Sequence, residues 1–404
     1  MIKAAVLGYG TIGSGVAEVL DINKDAIASR VGQEISLKYI LDLRDFPGDK
    51  HEDIITHNFE DIINDDEVQI VVETMGGTGA AYTFVKAALQ AGKHVATSNK
   101  ALVAKYGTEL MEIAAGNNIS FLYEASVGGG IPIIRPLYDC LGADEIIEIS
   151  GIMNGTTNFI LTKMAKEGSN FDEVLKEAQA LGFAEADPTD DVQGYDAGRK
   201  ISILTSIISG RQVEFEGIHM EGITDITAED MKYAVVLDRA IKLVATSKKT
   251  ENGYYAIVSP VMLPHEHPLY PVNGVFNAIF VKGNVLGDSM FYGSGAGKLP
   301  TASAVVADVV QIAKSMDEHI PYVWSKETLS LLSYENMTRK FFVRAKGNAL
   351  ERAQEINDLF GAVAYVEAAG VDGEFGFITD ELTESQFADK YNRLNDAITR
   401  IRLG

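Results

Sequence analysis

Residues 2–13 read IKAAVLGYGTIG. The first six are apolar apart from Lys3 and show no polar alternation, which suits a strand buried on both faces of a parallel sheet. The last six spell G-x-G-x-x-G, and a helical pattern continues from Gly13 to about Leu20. The motif is weak alone, but here it directly follows a strand and directly opens a helix. Gly8 permits the tight turn. Gly10 removes a side chain where a pyrophosphate approaches the backbone, and Gly13 lets the helix pack on the strand. Thr11 and Ile12 lie at the helix N-terminus, where free N–H groups and the positive dipole end favour an anion. These residues are the candidate dinucleotide contacts.

Working outward, short apolar runs recur at 35–41, 68–72, 94–97 and 119–123, with helix-like stretches at 80–91 and 106–116. Strand alternating with helix predicts α/β architecture, a Rossmann-type parallel sheet covered on both faces, over residues 1–130. The second strand ends in LDLRD (41–45). Asp42 bonding a ribose 2′-hydroxyl would favour NAD, whereas Arg44 holding a 2′-phosphate would favour NADP. The alternatives stay open. TMGG (74–77) follows VQIVVE, so Thr74 either lies along the cofactor or belongs to a glycine turn without contact.

The pattern changes after Glu124. A strand at 145–153, helices at 157–167, 171–181, 194–209 and 228–247, and strands at 254–262 and 274–287 predict an α+β catalytic and dimerisation domain over 131–320. YGSGAG (292–297) leads into a helix at 301–316, so that 295–316 packs back on the first domain. Residues 338–404 follow the order βαββαβ, a ferredoxin-like third domain.

The chain has 404 residues, 35 basic and 57 acidic, a net charge of −22. Such an excess repels phosphate backbones and anionic membranes, so nucleic acid and membrane partners are not expected. One cysteine, Cys140 in RPLYDCLG, allows no intrachain disulfide and fits a cytoplasmic protein with a buried, inert thiol. No secretory leader and no membrane span is read. His265 and His267 in LPHEHPLYP lack the spacing of a helical zinc motif and are not taken as metal ligands.

The stretch GFAEADPTDDVQGYDAGRK (182–200) is the candidate catalytic segment. Asp196 and Lys200 are spaced i, i+4 and share a helix face. Glu185 sits before that helix in a loop shaped by Pro188. Paired carboxylates can hold an ammonium, and the lysine can exchange a proton with an alcohol or aldehyde oxygen. Charge pattern alone equally fits a solvated acidic loop and an ordinary helix salt bridge. Lys100, in SNKAL (98–102), follows a strand at its carboxyl end, where ligands bind in parallel sheets.

GYGTIG, SNKALV, YEASVGGGIP, MNGTTNFIL and the 182–200 stretch occur in the order seen in homoserine dehydrogenases, and the chain resembles that family from residue 1 to about 316. The resemblance implies reversible NAD- or NADP-dependent oxidation of L-homoserine to L-aspartate 4-semialdehyde, within threonine and methionine biosynthesis. It implies substrate contacts from Glu185, Asp196 and Thr156, proton transfer by Lys200 with Lys100 as second lysine, and a further cofactor contact at Gly295. It also implies a sodium ion near Glu124, Val127, Gly129 and Ile131, and a homodimer or homotetramer. The tail resembles an ACT domain, although AKGNALER after its first strand departs from the usual effector-binding turn. The cofactor loop begins at residue 8, so the monofunctional form of the family is expected. Two rivals stand beside this reading. Aspartate-semialdehyde dehydrogenase needs a cysteine nucleophile, and Cys140 lies in no such motif. A nicotinamide-binding amino-acid sensor would have no need of the Glu185, Asp196, Lys200 set.

Overall fold

The computed structural model describes residues 1–404. They form two compact units: Met1–Glu145 with Ser202–Phe215 and Phe291–Leu329, and Ile146–Ile201 with Glu216–Met290 and Ser330–Gly404.

The first unit is built on six parallel strands. Across the sheet they run Ile55–Thr56, Ile35–Leu41, Ile2–Leu7, Val68–Glu73, His94–Thr97 and Phe121–Leu122. Ile2–Leu7 is the centre because Ala4, Ala5, Val6 and Leu7 are wholly buried. Chain order reverses there, between the strands 35–41 and 68–73, so the crevice beyond its carboxyl end is the topological switch point where dinucleotides bind. Helix Lys298–Lys314 belongs to this unit and presses on helix Thr11–Ile22, where a Cβ on Gly15 would lie 2.9 Å from the Lys298 carbonyl oxygen. The expected strand at 119–123 is only two residues long, and the expected helix at 106–116 starts earlier, at Lys100.

The second unit carries most of a long mixed sheet. From one edge its strands are Asp288–Ser294, whose residues from Phe291 cluster with the first unit, then Phe276–Gly283, Ile146–Ile152, Arg239–Thr250, Gly253–Pro264, Ala397–Leu403, Phe341–Lys346, Glu374–Ile378 and Ala364–Val366, with His219–Met220 pairing Gly253–Pro264 off this path. The last four, with helices Ala349–Phe360 and Glu384–Tyr391, give the βαββαβ tail. Its core is its own: Phe341, Val343, Phe375, Phe377, Phe387 and Ile356 pack together. Its last strand nevertheless continues the unit's sheet, Val261 pairing with Arg402 and Met262 with Leu403. The seams therefore fall away from the sequence boundaries: 131–145 and 202–215 cluster with the first unit, and the tail with the second.

Three expectations are corrected. The helix predicted over 228–247 ends at Val236, and Arg239–Thr250 is a strand paired along its length with Gly253–Pro264. Asp238, in the left-handed region at φ 51°, breaks the helix. The single strand predicted over 274–287 is a hairpin, turned at Gly287 (φ 81°). Cys140 is exposed, not buried, because residues 136–140 form one short π-type turn rather than an amphipathic helix.

Candidate active site

The glycine loop is shaped by exclusion. Gly8 has φ 92°, and a Cβ there would meet the Met75 side chain at 2.9 Å. A Cβ on Gly13 would lie 1.9 Å from the Gly8 carbonyl oxygen. At Gly10 nothing lies within 4 Å of the same position. Gly8 and Gly13 are thus required by the protein's own packing, whereas Gly10 keeps open the space that a pyrophosphate needs. Gly10 caps helix Thr11–Ile22 without any side-chain bond, and Thr11 is exposed at its start, so the first-turn N–H groups face the same space. These features fit a dinucleotide. Thr74 serves the loop itself: its hydroxyl donates to the carbonyls of Leu7 (3.1 Å) and Gly8 (2.8 Å).

Asp42 and Arg44 are locked together. The guanidinium Nε donates to Asp42 Oδ1 at 2.9 Å and an Nη to Oδ2 at 3.1 Å, while the Tyr9 N–H donates to Oδ2 at 2.8 Å. The Arg44 guanidinium holds the Asp42 carboxyl well below the usual carboxylate range, against the opposing pull of burial.

Lys100 is the first residue of helix Lys100–Gly116, whose Asn99 cap accepts the Leu102 N–H at 3.0 Å. A cation in a helix's first turn faces the unfavourable end of the dipole, at a cost of about 0.3–1 kcal/mol. Gly295 is buried against the 124–131 loop, where a Cβ on Gly129 would fall 2.3 Å from the Gly295 carbonyl oxygen. The Glu124 carboxylate is occupied by main-chain donors: Ile133 and Ile134 N–H at 2.6 and 2.8 Å on Oε1, and Arg135 N–H at 2.8 Å on Oε2. No group of three or more His, Cys, Asp or Glu side chains is arranged to hold a metal.

In the second unit, the first two turns of helix Tyr195–Ser209, whose residues from Ser202 cluster with the first unit, bring Asp196 and Lys200 onto one buried face. Lys200 Nζ donates to Asp196 Oδ2 at 2.6 Å and to the Met153 carbonyl at 2.7 Å. Asn154 completes the cluster. Its Oδ1 accepts the Thr157 N–H (2.9 Å) and caps helix Gly155–Glu167. That fixes the amide so that Nδ2 points at Asp191 Oδ1 (2.6 Å) and Asp196 Oδ2 (2.9 Å). Thr156 donates to the Phe183 carbonyl at 2.6 Å, tying the same helix to the 182–188 loop. Glu185 is exposed on that loop and takes no part in the cluster; its main-chain carbonyl is held by Gln179 at 3.0 Å.

Asn154 and Asp191 were not singled out from sequence, and neither was Glu73. Asn154 reads as an ordinary helix cap, Asp191 as one acid among several, and Glu73 as the end of an apolar strand. Their roles are set by partners distant in the chain.

A dinucleotide fold with a buried lysine–carboxylate cluster in the adjoining segment defines a nicotinamide-dependent oxidoreductase. Residues 8–124 match the NAD-binding domain of homoserine dehydrogenase and residues 132–310 match its homoserine dehydrogenase domain. A Bacillus subtilis homoserine dehydrogenase is 43% identical over 319 residues, 78% of this chain and 73% of that protein. One from Neisseria gonorrhoeae is 40% identical over 359 residues, 85% and 82% of the two. The crystal structure of the Thiobacillus denitrificans homoserine dehydrogenase gives a TM-score of 0.90 at 36% identity, covering 100% of this chain and 98% of that one. A hyperthermophilic archaeal homoserine dehydrogenase in complex with NADPH gives 0.63 at 29%, covering 77% and 97%. This chain belongs to the homoserine dehydrogenase family. No helix is long and apolar enough to cross a membrane.

Proposed function

We propose that Lys200 is the acid–base group in the reversible oxidation of L-homoserine to L-aspartate 4-semialdehyde, a step of threonine and methionine biosynthesis. The observation that carries this reading is the closed cluster of Lys200, Asp196, Asn154 and Asp191. When bound, the nicotinamide ring accepts or returns the hydride. Lys200, a donor to Asp196 and to the Met153 carbonyl, is placed to pass a proton to an aldehyde oxygen. In the oxidative direction it acts as the neutral amine, any proton it carries having passed to solvent, and takes the hydroxyl proton as the hydride leaves. Asp196 and Glu185 bind the substrate ammonium, with Glu185 brought in on its exposed loop, and Thr156 sets where that loop begins. Lys100 orients the substrate as second lysine.

Gly8, Gly10, Thr11, Ile12 and Gly13 hold the pyrophosphate, and Gly295 borders the same region. The cofactor is NAD or NADP: Asp42 taking a ribose hydroxyl favours NAD and Arg44 taking a 2′-phosphate favours NADP, and either contact competes with the bonds the two side chains make to each other. The loop over Glu124, Val127, Gly129 and Ile131 is a weak sodium site made of main-chain carbonyls. Consecutive left-handed residues, Gly128 and Gly129, support such a carbonyl turn. The tail is an ACT-like stabilising domain of a homodimer or homotetramer. After its first strand, Asn348 already bonds the N–H groups of Leu350 and Glu351 at 2.9 and 3.4 Å, so the turn serves its own helix.

The test is initial-rate NADH and NADPH formation with L-homoserine, with and without threonine. Lys200→Ala should lower turnover by about 10²–10⁴-fold with nicotinamide cofactor binding intact. Near-parental turnover in that variant would refute the assignment.

A further inference from the structure

Glu73 ends the strand Val68–Glu73 and is 0% exposed. No lysine or arginine pairs with it. Its Oε1 instead accepts the main-chain N–H groups of Met75 (2.8 Å) and Gly76 (3.3 Å), and the Asn99 amide at 3.5 Å. Its Oε2 accepts the Thr97 hydroxyl at 2.5 Å. Gly76 and Gly77 are both left-handed (φ 76° and 66°), which curls the loop so that successive N–H groups converge, as in an anion-binding nest. The anion in this nest is the protein's own side chain. The ring closes through Asn99, whose Nδ2 donates to the Gly77 carbonyl at 2.6 Å while its Oδ1 caps the helix headed by Lys100.

We propose that Glu73 is a positioning residue for the cofactor: one buried carboxylate clamps the loop 74–77 and the segment 97–99 together across the carboxyl ends of two adjacent parallel strands. This inference rests on the reading that those strand ends hold the dinucleotide. Buried acceptors that lack a counter-charge are costly, and burial pushes the Glu73 carboxyl up from its usual range against the hydrogen bonds that pull it down. Such a group persists where several donors need one common acceptor. Because the clamp consumes the N–H groups of Met75 and Gly76, this loop is not itself the phosphate site. Its task is to fix the wall against which the cofactor lies and the start of the Lys100 helix.

Glu73→Gln keeps shape but turns one acceptor oxygen into a donor facing N–H groups or a hydroxyl. The experiment measures NADH and NADPH dissociation by nicotinamide fluorescence, KM for cofactor and for homoserine, and the melting temperature. The expected result is a rise of at least about tenfold in cofactor Kd and KM, with a smaller rise in homoserine KM transmitted through the start of the Lys100 helix. A parental cofactor Kd in folded Glu73→Gln overturns the inference. If that variant does not fold, Thr97→Val against Thr97→Ser decides: valine should weaken the cofactor and serine restore it, whereas equal affinities overturn the clamp. Gly13→Ala is measured alongside. Parental binding there overturns the cofactor reading itself, while weakened binding there with parental Glu73→Gln defeats only the clamp.

Discussion

The glycine loop of the first unit and the lysine cluster of the second are made in opposite ways. The loop is defined by missing atoms: Gly8 and Gly13 have no room for a Cβ, and Gly10 has room that nothing in the protein fills. The cluster is defined by polar atoms that are present and paired, with Asn154 bonding two carboxylates and Lys200 closing on one of them. A site of the first kind fails when an atom is added. A site of the second kind fails when a donor is removed, because a buried acceptor left unpaired costs about 1–3 kcal/mol.

The sharpest way to break the comparison is Gly13→Ala. Its methyl would sit 1.9 Å from a backbone oxygen, so the turn itself must open. Cofactor affinity should fall by about a hundredfold or more, an overlap cost of about 3 kcal/mol appearing as lost binding. Fluorescence titration reads it, and an affinity within threefold of the parent would mean that the cofactor does not bind at this loop. Next comes Asn154→Ala. Turnover should drop by about tenfold to a hundredfold with cofactor Kd unchanged, since what is lost is the orientation of Asp191 and Asp196 together with the cap of helix Gly155–Glu167. Steady-state kinetics checks it; an equal loss of cofactor affinity would erase the distinction between the two regions.

The smallest effect on turnover is expected at Glu221, a polar cluster without a reaction. Glu221 bonds Arg402 at 2.7 and 2.8 Å, and Arg402 is 1% exposed. Burial pushes the Glu221 carboxyl up, but hydrogen bonds from Arg402 and His219 outweigh it and hold the group well below the usual range. A carboxyl depressed in the folded state contributes stability above its unfolded value, and that contribution is lost as pH falls below about 4.5. Glu221→Gln should therefore cost about 2 kcal/mol at pH 7, leave kcat unchanged, and flatten the acid limb of the stability profile. Urea unfolding between pH 7 and pH 3 measures both; a parallel acid limb in the two proteins would contradict the assignment.

Much of the first unit is legible because its strands are short, apolar and punctuated by glycine. The strand at 239–250 was hidden for a physical reason. Ile241 to Ala245 are all buried, so no alternation betrays a strand, and Lys242 breaks the apolar run. Its ammonium reaches the Asn158 amide oxygen, the Val272 carbonyl and Asn273, contacts that exist only once the sheet has formed. The lysine cluster was half legible. The i, i+4 spacing of Asp196 and Lys200 marks a shared face, but an amide forty-two residues upstream of Asp196 carries no local signature. Glu73 is the same case, its donors lying partly in the next strand's loop.

Cys140 ends the short turn of residues 136–140 with its thiol exposed, and the chain has no other cysteine. A maleimide dye would therefore attach at a single place on the native sequence, giving a one-to-one optical reporter of the first unit without any mutagenesis. The same solitary sulfur makes oxidised storage the condition under which two molecules would become covalently joined, so a reducing agent belongs in any measurement of subunit number.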